Sequence, residues 1–591
     1  MPACRHPDIR NFDDVRCCLA CGEAVFENTS HPEQTADLSE TSTYQYKRLN
    51  YELGQEIRLI ILYPGEILDD IRCSLVHVNL LDKPTFEAVS YTWATANGDA
   101  SLSAQMICHG RRIFITRNCE RVLRCLRSLA HNRTLWIDAV CINQMDNTER
   151  SHQVNLMDTV YSNASLVLAY VGAENVNIQR LIAQFMRQPA NDLDARLVGQ
   201  ADNFHQDYSY RDRVTTFLSQ PYFDRVWVLQ EIALAKVVIM VTGQRTMEWT
   251  AETASVLLQL CRSFCIDPPS VLRWPPANGI EKEDILDVLR RSRNCSASNP
   301  RDKIYAVLGL VKQDGSSLIP VDYSRSPNEV FEDLAVYLLK QKGRLDVLLH
   351  AANQRLDTDS VPSWVPQWDV KCAYEPLPPQ FDPLTIEEIS GQWFWPPPRS
   401  VCCSFVEKHW SNQRALYGDN GFTFDICQRK LPPGSSKSHP LSLPYLKIRG
   451  HRLDTIAQIP QGPPVKYHFP EKYFTCSEHS SQGLCRPSWY DGEYIYLEAV
   501  RDELGVGKTH FITEQSVGFA QEWQCRGKLR SGDTVWALAG LNVPVILRKA
   551  EEHYVLMGEC YLYRAMMPLV CTFCRMETQP WSMVTEVIDI W

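Results

Sequence analysis

A short apolar segment, followed by a helix-forming segment and a second apolar segment, constrains the fold of this 591-residue chain most strongly. TLWIDAVCI at 134–142 is typical of a strand covered on both faces, and an apolar stripe at helical spacing then runs from Val154 to Ala164. SLVLAYVG at 165–172 is again apolar throughout. Strand, helix and strand at this spacing predict a βαβ unit with parallel strands.

Further strand patterns flank this unit. They are RLIIL, FEAVSYTW and RRIFIT before it, and KVVIMVTG after it. Together they predict an α/β fold with an open parallel sheet. Helical patterns continue to about residue 370, and residues 371–445 are rich in Pro, Ser and Trp. Strand patterns separated by glycine turns follow, which indicates a smaller C-terminal all-β domain.

Composition excludes some classes of function. The 70 acidic residues outnumber the 60 basic ones, which gives a net charge of -10 and disfavours nucleic acid as a partner. The first residues lack the apolar core of a secretory signal, and no apolar run reaches the length of a membrane span. We therefore expect no membrane partner and place the protein in the cytoplasm, with the nucleus as the alternative.

The N-terminal segment carries a cluster of thiols and one imidazole. Cys4, His6, Cys18 and Cys21 provide four ligands of the kind that hold a structural zinc ion in a tetrahedron. The alternative is a tail with spare cysteines. If zinc is bound, a zinc-containing regulatory protein that binds nucleic acid becomes a third function class, although the acidic balance of the chain speaks against it.

Two acids interrupt apolar segments. Asp138 lies near the carboxyl end of its predicted strand, where open α/β sheets bind ligands, and Glu231 lies in the helical segment RVWVLQEIALA. A buried carboxylate needs a partner or a chemical role. In the structural alternative, Asp138 caps a loop, Glu231 anchors its helix through Arg225 or a backbone amide, and Trp227 fills core volume.

The segment NPRDKIYAVLGL has a simpler explanation. Asn299 is suited to cap a helix, Pro300 to occupy its first position, and Asp302 to lie in the first turn beside the positive end of the helix dipole. The sequence therefore predicts a helix start here and no chemistry.

Four blocks in this order resemble the fungal heterokaryon incompatibility (HET) domain: FEAVSYTW, the segment from RTLWIDAVCINQ to SLVLAYVG, YFDRVWVLQEIALA and NPRDKIYAVLGL. They cover approximately residues 86–310. With this resemblance the chain divides as follows: a zinc-binding-like module at 1–26, a linker at 27–50, the HET core at 51–250, its helical extension at 251–370, an irregular connector at 371–445, the β domain at 446–570 and a tail at 571–591.

The resemblance implies a role in non-self recognition between fused hyphae, ending in growth arrest or programmed cell death. It also implies self-association and other incompatibility proteins as partners. HET domains are similar to Toll/interleukin-1 receptor (TIR) domains, which have a flavodoxin-like sheet and in some members cleave NAD. WVLQEI is similar to the WCxxEL-like helix of those enzymes, which implies Glu231 as the catalytic carboxylate, with Asp138 and Trp227 in the same cleft. An NAD glycohydrolase is therefore the alternative function.

Overall fold

The computed structural model describes most of the N-terminal half and parts of the C-terminal half. The described residues are 42–172 without 52, 53 and 96, 204–312 without 244 and 277–281, 319–351, 361–371, 444–459, 508–562 without 515–516, 522–527, 540 and 542–543, and 586–591, with short strands at 9–12, 15–18, 24–26, 425–428, 466–468 and 494–496 and single residues at 178 and 182. The chain forms two compact units, Met1–Ser326 and Pro327–Trp591.

Three short strands open the first unit: β1 (Ile9–Phe12), β2 (Val15–Cys18) and β3 (Ala24–Phe26). They form an antiparallel sheet in the order β1-β2-β3. Cys18 ends β2, whereas Cys4, His6 and Cys21 lie outside the described residues. The zinc site therefore stays a prediction.

A nine-stranded sheet forms the centre of the first unit, in the order β12-β11-β10-β6-β9-β4-β5-β7-β8. Its strands are β4 (Glu56–Leu62), β5 (Arg72–Asn79), β6 (Glu87–Tyr91), β7 (Ala104–Cys108), β8 (Arg111–Ile115), β9 (Arg133–Trp136), β10 (Leu166–Gly172), β11 (Val238–Thr242) and β12 (Arg245–Glu248). Strands β4, β6 and β10 are almost wholly buried, as their apolar sequences predict.

The prediction of a parallel sheet is wrong in part. β6 pairs in parallel with β9 and β10, and β10 with β11, so the βαβ unit is confirmed. However, β4 lies between β9 and β5 and is antiparallel to both. The described sheet is therefore mixed. Hydrophobic pattern identifies strands, but the direction of a neighbouring strand depends on long-range contacts that the pattern does not contain.

Helices cover this sheet and extend beyond it. They are α1 (Arg117–Leu126), α2 (Asp138–Cys141), α3 (Asn147–Asn155), α4 (Met157–Asn163), α5 (Phe204–Leu218), α6 (Trp227–Ala233), α7 (Ala251–Ser263), α8 (Ile285–Ser292) and α9 (Asp302–Tyr305). Thr116 caps α1 by accepting from Cys119 N. The apolar segment after residue 134 is shorter as a strand than predicted, because β9 ends at Trp136 and Asp138 begins α2.

The second unit begins with α10 (Pro327–Lys340) and is otherwise dominated by strands, which confirms the smaller all-β domain. The strands are β13 (Asp425–Gln428), β14 (Pro444–Gln458), β15 (Lys466–His468), β16 (Tyr494–Tyr496), β17 (Lys508–Thr513), β18 (Val517–Gln521), β19 (Thr534–Leu538), β20 (Val545–Ala550), β21 (His553–Leu562) and β22 (Glu586–Ile590). Because β14 pairs with both β17 and β19, the main sheet closes on itself. In the described part of the chain, every helix falls short of the length and apolar character that a membrane crossing requires.

Candidate functional site

A cavity of about 1010 Å³ opens in the first unit where β6 and β9 end. This is the carboxyl edge of two parallel strands, where ligands of α/β sheets bind. The three predicted site residues, Asp138, Trp227 and Glu231, all line it. The structure thus brings together residues that lie up to 93 positions apart, which is 231 minus 138.

Asp138 lies at the start of α2 and pairs with a tryptophan. Trp93 Nε1 donates to Asp138 Oδ2 at 2.8 Å, and Ala139 N donates to Oδ1 at 2.7 Å. Burial raises the pKa of Asp138, although the positive charge of Arg225 opposes this effect. Asn118 holds the loop of Trp93, because its Nδ2 donates to Thr92 O at 2.5 Å. Asp138 is therefore partnered by the Trp93 indole, and it also faces the cavity.

A buried ion pair fixes the segment that follows Asp138. Arg58 and Glu149 are 0% and 2% exposed, and two hydrogen bonds of 2.5 and 3.0 Å join the guanidinium to the carboxylate. Arg58 Nη1 also donates to Cys141 O at 3.0 Å, and Asn143 N donates to Glu149 Oε1 at 2.6 Å. The pair thereby ties β4, α3 and the turn after α2 into one rigid support for the cavity wall.

Glu231 lies on the buried face of α6 and is only 3% exposed. Ser90 Oγ donates to its Oε2. Since Ser90 has one hydroxyl proton, Tyr222 OH is the donor in the 2.7 Å bond between the two hydroxyls. Burial raises the pKa of Glu231 to about 7. The charge of Arg225 and the hydrogen bonds from Ser90 and Tyr161 oppose this shift, and the charge of Asp138 adds to it. A carboxyl group with this pKa exchanges its proton near neutral pH, which suits a general acid or base.

Arg225 faces three carboxylates of the cavity. Its charge opposes the raised pKa values of Asp138, Glu231 and Asp302. Its Nη1 donates to Tyr91 O at the end of β6. Among the described residues it closes no direct ion pair with any of these acids, so hydroxyl groups, and not an arginine fork, hold Glu231.

The NPRD segment also contributes to the cavity, which the sequence analysis missed. Trp227 Nε1 donates to Asp302 Oδ2 at 3.0 Å, and Tyr323 OH donates to Oδ1 at 2.7 Å. Burial raises the pKa of Asp302. Asn299 Oδ1 does accept from Arg301 N at 3.2 Å, but α9 begins at Asp302. A helix start was enough to explain Asp302 from its neighbours in the sequence. Nothing in the sequence pointed to its contact with Trp227, which is 75 positions away.

Two pairs of an indole and a carboxylate therefore line the cavity, Trp93 with Asp138 and Trp227 with Asp302. Glu231 also lines it. This arrangement can accept hydrogen bonds from ligand hydroxyls and can stabilise positive charge that develops on a ligand. Its carboxylates do not gather into a metal centre, since among the described residues no three His, Cys, Asp or Glu side chains converge in a group that could hold a metal ion.

The comparisons with known proteins point to one family. Residues 86–231 match the model of the heterokaryon incompatibility protein (HET) family. The chain is 23% identical over 420 residues to "Heterokaryon incompatibility protein 6, OR allele" of Neurospora crassa, an alignment that covers 58% of this chain and 62% of that relative. The chain thus matches less than two thirds of the length of this curated relative, and no solved structure matches it.

The matched residues include most of those that line the cavity, whereas Asp302 and Tyr323 lie outside the match. They begin at Phe86, directly before β6, and end at Glu231 on α6, so they include Trp93 and Asp138. The chain therefore carries a HET domain at residues 86–231.

Proposed function

We propose that this chain acts in heterokaryon incompatibility, the non-self recognition response between fused hyphae that ends in growth arrest or programmed cell death. One observation carries the proposal: the family match at 86–231 includes Trp93, Asp138, Trp227 and Glu231, four residues that line the cavity. A family likeness that coincides with a site supports a shared activity more strongly than a likeness of fold alone.

Expression in a fungal host tests this proposal. The native chain, Glu231→Gln and Arg117→Gln are expressed at equal levels, checked by immunoblot, and scored for growth arrest. Arg117 is an exposed residue of α1 outside the cavity, so its variant is the matched control. We expect arrest with the native chain and with the control, and growth with Glu231→Gln. Growth with all three proteins contradicts the proposal.

Self-association and contact with other incompatibility proteins, in the cytoplasm, belong to the same proposal. The size of the native complex in a fungal extract, measured by size-exclusion chromatography beside the purified chain, tests them. A species larger than the monomer in both samples supports self-association, and one found only in the extract supports a different partner.

A second candidate function is hydrolysis of NAD, favoured by the raised pKa of Glu231 beside Asp138 in one cavity. The likeness to flavodoxin-like TIR domains is part of this candidate. The bond between the ribose C1′ and the nicotinamide nitrogen would break, with the electron pair leaving on nicotinamide. Ionised Glu231 would stabilise the oxocarbenium-like carbon and accept a proton from the water that attacks it.

Nicotinamide release by the purified protein tests this candidate. Native chain, Glu231→Gln and Arg117→Gln are incubated with NAD, and nicotinamide is quantified by chromatography. We expect turnover by the native chain and the control, with a loss of about 100-fold or more in Glu231→Gln. Equal turnover in all three proteins removes Glu231 from the chemistry.

The zinc site at Cys4, His6, Cys18 and Cys21 is a separate proposal, supported by the ligand types and by the well-formed spacing of its second half. Metal content of the purified chain tests it, by comparison of the native protein with Cys18→Ser and Cys21→Ser. Stoichiometric zinc in both variants contradicts this ligand set.

A further inference from the structure

Arg150 presents a guanidinium group to the cavity without a hydrogen-bond acceptor. It lies on α3 among the cavity-lining residues, and its guanidinium carbon lies 4.1 Å from the centroid of the Tyr323 ring. Stacking of this kind fixes the plane of a guanidinium and leaves its in-plane N–H donors available. The Arg150 side chain is therefore positioned, but its donors are not used by the contact that positions it.

The described residues supply no acceptor for these donors. Arg150 forms no side-chain hydrogen bond and no ion pair within the described ranges, and its Nε is buried without a partner. Buried donors of this kind are uncommon in folded proteins and call for an explanation. The second arginine of the cavity differs, because Arg225 donates to Tyr91 O.

Asp302 balances the charge of Arg150 without occupying its donors. Asp302 is close enough for the charge of Arg150 to oppose its raised pKa. Both of its oxygens already accept, from Trp227 Nε1 and Tyr323 OH, and no ion pair closes between the carboxylate and Arg150. The guanidinium thus keeps a neutralising neighbour in the cavity and remains open to a second anion.

We propose that Arg150 is the anchor for a phosphate group of the ligand that this cavity binds. The planar guanidinium fork matches phosphate oxygens, and hydrogen bonds of this charge-assisted kind are the strong ones. Hydroxyl groups of the same ligand then donate to carboxylates such as Asp138, whose oxygens have remaining lone pairs. The ligand class is a phosphorylated sugar or nucleotide. This inference rests on the proposed function only in that the cavity is a ligand site.

The test compares two probes that differ by one phosphate. Binding of ribose 5-phosphate and of ribose is measured by calorimetry at millimolar ligand, with native full-length chain, Arg150→Gln, Arg150→Lys and Arg117→Gln. We expect native protein to prefer ribose 5-phosphate, and Arg150→Gln to lose about 10- to 100-fold in its affinity. Arg150→Lys keeps the charge without the fork and should lie between them, whereas Arg117→Gln should match the native chain.

Several results would overturn the inference. They are equal affinity of the native chain for both probes, no measurable binding of either, an unchanged affinity in Arg150→Gln, or an equal loss in Arg117→Gln. Circular dichroism of each variant shows whether it is folded, and Arg150→Lys provides the second reading if Arg150→Gln is not. Because neither probe is cleaved and no host response is scored, failure of the proposed function leaves this result unaffected.

Discussion

Glu149 and Glu231 are two buried glutamates of the same unit with opposite surroundings. They are 2% and 3% exposed. Glu149 receives two hydrogen bonds from Arg58 and one from the backbone of Asn143. Glu231 accepts from Ser90 and Tyr161, faces Arg225 without a direct ion pair, and has its pKa raised to about 7.

The difference separates a supporting residue from a reactive one. A buried acid with a full set of donors fixes the backbone around it. A buried acid with few donors in a cavity keeps part of its desolvation penalty until a proton or a ligand arrives, which is the condition of many catalytic carboxylates. Burial alone would have placed Glu149 and Glu231 in one class, and their donors distinguish them.

The largest expected effect comes from breaking the Glu149 pair. Glu149→Gln leaves the charge of Arg58 buried without its partner, so we expect the free energy of unfolding to fall by about 3–5 kcal/mol. Urea denaturation followed by fluorescence measures it. The double variant Arg58→Met with Glu149→Leu removes both charges and should recover most of the loss. A double variant as unstable as the single one would show that the hydrogen bonds to the backbone, and not the buried charge, dominate.

The sequence predicted the strands, and it pointed to the two acids and the tryptophan that line the cavity, but not to the side chains that pair with them. Arg58 interrupts the apolar strand EIRLIIL, and this was the available signal of a buried pair. Its partner lies 91 positions away, beyond any local pattern. The place of Asp302 in the cavity was missed because its position at a helix start explained it fully from the local sequence. Pattern therefore located the elements, while long-range hydrogen bonds decided which side chains meet.

The second prediction concerns Glu231→Gln and depends on pH. The carboxyl pKa is about 7 in the folded protein against 4.5 for an unperturbed glutamate, so between these values the native state holds a proton that the unfolded state has released. The free energy of unfolding of the native chain therefore falls as pH rises through this window, by about 3 kcal/mol. The glutamine side chain of the variant does not titrate, so the variant lacks this loss.

Urea denaturation at pH 4.5 and pH 8 measures this difference. We expect the two proteins to have similar stability at the lower pH, where Glu231 is protonated, and the variant to be the more stable one at the higher pH. A variant that is less stable than the native chain at pH 8 would assign Glu231 to the same supporting class as Glu149.

A third prediction sharpens the comparison at the indole and carboxylate pairs. Trp227→Phe removes the Nε1 donor of Asp302, and Trp93→Phe removes that of Asp138. Each leaves a half-buried carboxylate with one donor fewer, so we expect losses of about 2 kcal/mol in the free energy of unfolding. Thermal unfolding of both variants measures them. If the free energy of unfolding is nearly unchanged in both variants, water replaces the indole N–H as the donor, and the hydrogen bond to the carboxylate does not hold either ring in place.

The smallest effect is expected for Ser90→Ala, which removes one donor of Glu231 and leaves Tyr161 and Arg225 in place. The hydrogen bond from Ser90 lowers the pKa of Glu231, so its loss should move that pKa above about 7 and cost about 1 kcal/mol at pH 8. Stability against pH is then compared with and without Glu231→Gln in the Ser90→Ala background. The matched control is Ser292→Ala. Ser292 is also buried, and its hydroxyl donates to Leu289 O. The Ser292 hydroxyl donates to a backbone carbonyl and not to a carboxylate, so only Ser90→Ala should shift the pH range over which stability falls. A shift of equal size in both variants would mean that a general loosening of the fold, and not the Ser90 donor, sets the protonation of Glu231.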